Sequence, residues 1–138
     1  MFRCILAPVR LTEPDLAERS VAVASRLARD NDAQLILATI TPHWVTVKSG
    51  DYSKEARRWF EERAALQLGQ LKALTQGAQC RTLVRWGSIP GSIFDIAEET
   101  EADLIVLAAE EPVLAKFLRQ SDPVRVAARA HCSVLLVR

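Results

Sequence analysis

The chain has 138 residues, 49% hydrophobic and 25% charged, which fits one globular domain spanning residues 1–138, large enough to bury a core without metal or disulfide staples. Eighteen Lys and Arg against seventeen Asp and Glu leave a net charge of +1, so the composition carries no electrostatic footprint for nucleic acid or an anionic membrane. Only five glycines occur, few for a phosphate or nucleotide binder, where glycine lets the backbone approach the ligand.

The N-terminal MFRCILAPVR has too short an apolar run for a signal peptide, and no stretch approaches the roughly 20 apolar residues that span a bilayer. The expected compartment is the cytoplasm. Arg3–Val9 (RCILAPV) predicts a first strand. Thr12, with Asp15 three residues on and Pro14 in the first turn, predicts a helix start. Leu16, Ala17, Val21, Val23, Ala24, Leu27 and Ala28 form its apolar stripe, and Asp30-Asn31-Asp32 ends it.

Gln34–Ile40 predicts a second strand, followed by a loop from Thr41 to Tyr52 that carries His43 and Trp44. A long helix is expected from about Ser53 to Thr75, with Phe60, Ala64, Leu68, Leu71 and Leu74 inward and Gly77 at its C′ position. Cys80–Trp86 alternates more and suits a strand nearer an edge. A third helix follows Pro90, with Ser92 as cap and Ile93, Ile96, Ala97 and Thr100 inside. Asp103–Ala108 is a fourth strand, Glu110–Gln120 an irregular connection, and Asp122–Ala130 a short helix with Ser121 as N-cap and Pro123 in the first turn. Ser133–Arg138 is the fifth strand.

Strand–helix alternation implies an α/β fold, a five-stranded parallel sheet sandwiched by helices, flavodoxin-like with strand order 3-2-1-4-5. The ligand crevice of such a sheet lies at the C-terminal ends of the strands flanking the reversal, here Val9-Arg10-Leu11-Thr12 and Ala108-Ala109-Glu110-Glu111.

That crevice holds little chemistry. A response-regulator receiver needs an acidic cluster after the first strand and a phosphoacceptor Asp after the third; this chain has Pro8-Val9-Arg10 and Trp86-Gly87. Gly87–Ser92 (GSIPGS) lacks the endings of a Walker or dinucleotide loop and reads as a strand-to-helix turn. His131 and Cys132 are neighbours on an extended chain, facing opposite ways, so they do not form a nucleophile–base pair. Cys4, Cys80 and Cys132 are read as buried small hydrophobes. Glu98-Glu99 reads as a solvated helix face, while Glu110-Glu111 sits at the crevice. No catalytic or metal-ligating set is expected.

CILAPV at the start, GSIPGSIFDIAEETEADLIVLA in the third quarter and ARAHCSVLLVR at the end resemble the universal stress protein family over nearly the whole chain. The resemblance implies the same sandwich, with the strand order of adenine nucleotide α-hydrolase-like proteins, and a homodimer built on the last strand, with Val134, Leu135, Leu136 and Val137 as interface candidates. It also implies an ATP site with a G-x2-G-x9-G-[ST] pattern after the fourth strand. Here the first glycine position falls on Ala108 and the second on Glu111. The last pair falls on Ser121-Asp122, or on Gln120-Ser121 with one deletion. The family's Asp after the first strand falls on Arg10. Glu111 would sit where phosphate belongs, and like charges about 4 Å apart near a surface repel by a few kcal/mol.

The reading is therefore a non-enzymatic, cytoplasmic stress-response protein, dimeric, acting through protein partners, with no cofactor expected. Arg10 pairing with Glu110 or Glu111 would close the crevice; otherwise these side chains point to water. The alternative is a module for ATP in a degenerate mode or another metabolite, lined by Arg10, Thr39, Ile40, Ala108, Glu110 and Ser121. Gly50, Gly69, Gly77, Gly87 and Gly91 all precede the fourth strand, so the family's phosphate segment is the part without glycine.

Overall fold

The computed structural model describes residues 1–41, 54–109 and 122–138. In chain order these form β1 (Cys4–Pro8), α1 (Pro14–Asn31), β2 (Gln34–Thr41), α2 (Lys54–Lys72), β3 (Gln79–Trp86), α3 (Gly91–Thr100), β4 (Leu104–Ala108), α4 (Asp122–Arg129) and β5 (Ser133–Val137). The strands make one parallel sheet of order β3-β2-β1-β4-β5, as the alternation predicts.

The continuous apolar runs divide by the strand period of two. Ile5, Ala7, Leu35, Leu37, Leu104 and Val106 pack beneath Val21, Ala24 and Ala28 of α1 and Leu68 and Leu71 of α2. Cys4, Leu6, Ile36, Ala38, Ile105 and Leu107 pack on the opposite face against Ile93 and Ile96 of α3 and Val126 of α4. Ala17, Ala24 and Ala28 bring α1 close to the sheet because they present only methyl groups.

Several local expectations are corrected. Glu13, not Thr12, occupies the N-cap of α1 and makes no side-chain cap bond; Pro14 already stands at the start of the helix. Asp32 ends α1 in the left-handed conformation, its N–H bonded to the carbonyls of Ala28 and Arg29. Pro90 takes the N-cap of α3 and Ser92 lies inside the first turn, its N–H donating to the Ser88 carbonyl at 2.9 Å. Gly77 is not the C′ residue of α2, which ends at Lys72; it occupies a turn in which the Ala78 N–H reaches the Thr75 carbonyl at 2.9 Å. There its φ of +79° requires glycine. Leu74 lies beyond α2 and is 52% exposed rather than inward. Cys4 is buried, but Cys80 and Cys132 are only half-buried because they sit on or beside edge strands. The expected Ser121 cap and the Thr41–Tyr52 loop beyond Thr41 fall outside the described residues.

Two polar links join distant segments. The Asp103 carboxylate accepts the Arg3 N–H at 2.9 Å and the Cys4 N–H at 3.1 Å, while the Asp103 N–H donates to the Cys4 carbonyl at 2.9 Å. This ties the N-terminal ends of β1 and β4 together. Arg85 on β3 meets Glu99 on α3 through both carboxylate oxygens, with Nη1 to Oε1 at 2.9 Å. The guanidinium holds the Glu99 carboxyl below its usual range.

Replacing Asp103 by Ala leaves two backbone donors at the sheet end without acceptors, and is expected to lower stability by about 1–3 kcal/mol in urea unfolding. Glu99 has a depressed folded pKa, so its contribution is present above the ordinary Glu value and is lost as pH falls through the lowered one. The urea midpoint of Glu99→Gln should therefore lie below wild type at pH 7 and converge with it as the pH falls through the depressed Glu99 value.

Candidate functional site

β1 and β4 run side by side, yet their register pairs are only Ile5–Leu104 and Leu6–Ile105. β1 pairs with β2 through Pro8, and β4 pairs with β5 through Ala108. The two halves of the sheet thus join at their N-terminal ends, sealed by Asp103, and part toward their C-terminal ends. This reversal of strand order is where ligands of open α/β sheets bind. Its lips are Val9 onward and Ala108 onward, as expected from the sequence.

The backbone at both lips is engaged by the sheet. The Val9 N–H donates to the Ala38 carbonyl at 2.8 Å. The Thr39 hydroxyl donates to the Val9 carbonyl at 3.0 Å, and Thr39 is buried. That bond fastens β2 to the chain leaving β1. The Ala109 N–H, the first past β4, donates to the Val137 carbonyl at 2.7 Å. Ile40 and Ala108 are half-buried, Ile40 packing on the α3–α4 side of the sheet. Arg10 is exposed on the loop before α1, its carbonyl accepting the Glu13 N–H at 3.2 Å. Glu110, Glu111 and Ser121, and with them any pairing to Arg10, lie outside the described residues.

Beside the first lip, Glu13, Pro14, Asp15, Leu16 and Arg19 line a depression of about 240 Å³. It is smaller than ordinary small-molecule pockets of roughly 300–1,000 Å³. Its carboxylates flank the α1 N-terminus, where a helix otherwise attracts anions. A triphosphate needs free backbone donors and glycine at such a lip. Here the Val9 and Ala109 donors serve the sheet, and Ala108 carries a methyl group at the first glycine position. Among the described residues, then, these two N–H groups are already bonded within the sheet, while the rest of the segment past β4, 110–121, lies outside the described residues.

Burial raises all three thiols, Cys4, Cys80 and Cys132, above the ordinary cysteine value, which leaves little thiolate at neutral pH. His131 is exposed in the bend before β5, one residue from half-buried Cys132. Among the described residues no group of three or more His, Cys, Asp or Glu could hold a metal ion.

Sequence reading missed a cluster at the C-terminal end of β3. Trp86 donates its Nε1–H to Glu61 Oε1 at 2.7 Å, Phe60 meets it edge-on with centroids 6.3 Å apart, and Arg57 lies 5.0 Å over its ring. Glu61 and Trp86 are 25 residues apart and no periodicity links them; only the β3–α2 packing does. The Asp103 role is equally hidden in the sequence, since its partners lie about 100 residues away.

Comparison with known proteins agrees with this architecture. The sequence matches the universal stress protein family model over residues 1–138. Universal stress protein G of Shigella flexneri and that of Escherichia coli O157:H7 are each 27% identical over 143 residues, covering 100% of both chains. Among solved structures, a universal stress protein in complex with cAMP superposes with a TM-score of 0.74 at 19% identity, over 99% of this chain and 97% of that one. The universal stress protein from Archaeoglobus fulgidus in complex with dAMP gives 0.69 at 20% identity, over 99% and 98%. At these identities the structures speak to the fold, and the family match over the whole length carries the assignment: the chain belongs to the universal stress protein family.

Proposed function

We infer that this protein is a non-enzymatic stress-response protein of the cytoplasm that works as a homodimer through contacts with protein partners and does not hold ATP in its crevice. The carrying observation is the end of β4 and the segment past it, Ala108-Ala109-Glu110-Glu111, with no glycine after Gly91 anywhere in the chain. A cradle of backbone N–H groups around phosphates needs residues without Cβ, and Glu111 adds a negative charge where the family places glycine. The engagement of the Val9 and Ala109 donors by the sheet supports the same reading. No helix among the described residues is long and apolar enough to cross a membrane, which is compatible with a cytoplasmic site of action.

The second reading is a binding module for a small metabolite at the same switch point, with Arg10, Thr39, Ile40, Ala108, Glu110 and Ser121 as candidates. What favours it is that two proteins of the same fold are in complex with cAMP and with dAMP, nucleotides that carry one phosphate and need no triphosphate cradle. Arg10 supplies a cation on the lip where such a phosphate could be met.

Denaturing the purified protein and chromatographing the supernatant should release no stoichiometric adenine nucleotide, and calorimetric titration with ATP should give no saturable heat. Stoichiometric ATP overturns the first reading. Saturable binding of cAMP or dAMP without ATP, abolished by Arg10→Ala, establishes the second.

Among the described residues β5 is the last strand of the sheet and pairs only with β4, with Leu135 36% exposed. An apolar edge of this kind gains by pairing with its twin across a two-fold axis. Light scattering at micromolar concentration should give at least twice the mass of one chain, and Leu135→Glu should reduce it; a wild-type mass of one chain removes the homodimer.

A further inference from the structure

Among the described residues the sheet ends in two strands that are built differently. β5 is five residues long and its SVLLV carries no charge. β3 is eight residues long and carries Arg81 and Arg85. β3 pairs with β2 along its whole length, from Gln79–Gln34 to Trp86–Thr41. Among the described residues, the groups of β3 that point away from β2 meet no further strand. A long strand with an open side is a template on which another chain can pair.

The strand period places Arg81, Leu83 and Arg85 on one face of β3. It is the face covered by α3: Leu83 packs into the layer of Ile93 and Ile96, and Arg85 reaches Glu99. Arg81 is exposed and forms no ion pair among the described residues. Arg85 keeps 37% of its side chain in solvent with the Glu99 bond in place.

A strand added beyond β3 would stand about 4.8 Å away, its side chains alongside these two guanidiniums. Each would lose water on its open side. Arginine cannot shed its charge to escape that cost. For Arg81 no bonded carboxylate compensates, and for Arg85 the whole pair with Glu99 would be drawn out of water, where desolvation offsets the attraction. The partners that a second copy could offer fit no better. Its β5 presents Val134 and Leu136 on the matching face, apolar groups against cations. Its β3, paired antiparallel across a two-fold axis, sets arginine opposite arginine, and like charges directly opposite are destabilising.

We propose that Arg81 and Arg85 are the gatekeepers of the β3 edge: standing on its α3 face, they bar a further strand and keep β3 the closed end of the sheet. The proposal concerns the edge opposite β5 and does not rest on the homodimer proposed there.

Sedimentation equilibrium over a concentration series tests it in the Leu135→Glu background, where the β5 edge is blocked and mass added to that parent reports on β3. R81V/R85V replaces both cations with a residue well suited to strands and should gain mass as concentration rises. Arg81→Val alone sits at an exposed position and leaves the Glu99 pair intact; it should gain mass in the same direction, more weakly. R81K/R85K loses the two-oxygen bond to Glu99 but keeps both charges, and should sediment as the parent does. The proposal is overturned if R81V/R85V and Arg81→Val keep the parent's mass throughout the series, or if R81K/R85K associates as strongly as R81V/R85V, which would make the lost Glu99 bond, and not the charge at the edge, the cause.

Discussion

The structure depends on one pairing, that of β1 with β4. Segments about 100 residues apart meet there, and the meeting is short: two register pairs and the Asp103 carboxylate against the first N–H groups of β1. Every other neighbour relation in the sheet runs within one half, β3-β2-β1 or β4-β5. A carboxylate accepting backbone N–H groups is a strong, directional bond, stronger than one between neutral partners. It holds the two halves at one end and leaves them free to part at the other. The same contact that closes the sheet therefore creates its crevice.

Around that contact the core is divided by strand geometry. A parallel sheet with both faces covered must place successive side chains in two separate apolar layers. Here one layer is lined by alanine from α1 and leucine from α2, the other by isoleucine from α3 and Val126 from α4. Buried hydroxyls do not disturb this arrangement. Ser20 and Ser25 donate to carbonyls three residues back in α1, at 3.1 Å each, and Thr75 donates to Lys72 at 2.7 Å. These three are satisfied within their own segments, and buried Thr39 by the Val9 carbonyl thirty residues away, which is what a dry interior requires.

On the proposed reading, the crevice keeps the shape of a binding fold while its chemistry has changed. The strand order still brings Val9 and Ala108 to the lips of the switch point. The groups there serve the sheet: Thr39 fastens Val9, and Ala109 fastens to Val137. On the proposed reading, the protein's interactions have moved from that crevice to the β5 edge, which pairs with β4 alone among the described residues.

The sequence by itself determined the fold class, the strand order and the place of the crevice, because apolar runs of strand length alternating with helical stripes admit few right-handed arrangements. It also showed the missing glycines, since a residue type is legible without any geometry. Caps were less legible: Glu13 and Pro90 start helices where Thr12 and Ser92 were expected, because a proline can begin a helix without a side-chain cap. Only the tertiary structure decided that the Thr39 hydroxyl reaches the Val9 carbonyl, and that Asp103 holds Arg3 and Cys4. It alone paired Trp86 with Glu61 and Arg85 with Glu99. These are contacts between segments separated by 14 to 100 residues, and no local period connects their partners. Pattern in a chain reports which face of an element is apolar; which polar groups meet depends on how the elements are set against one another in space.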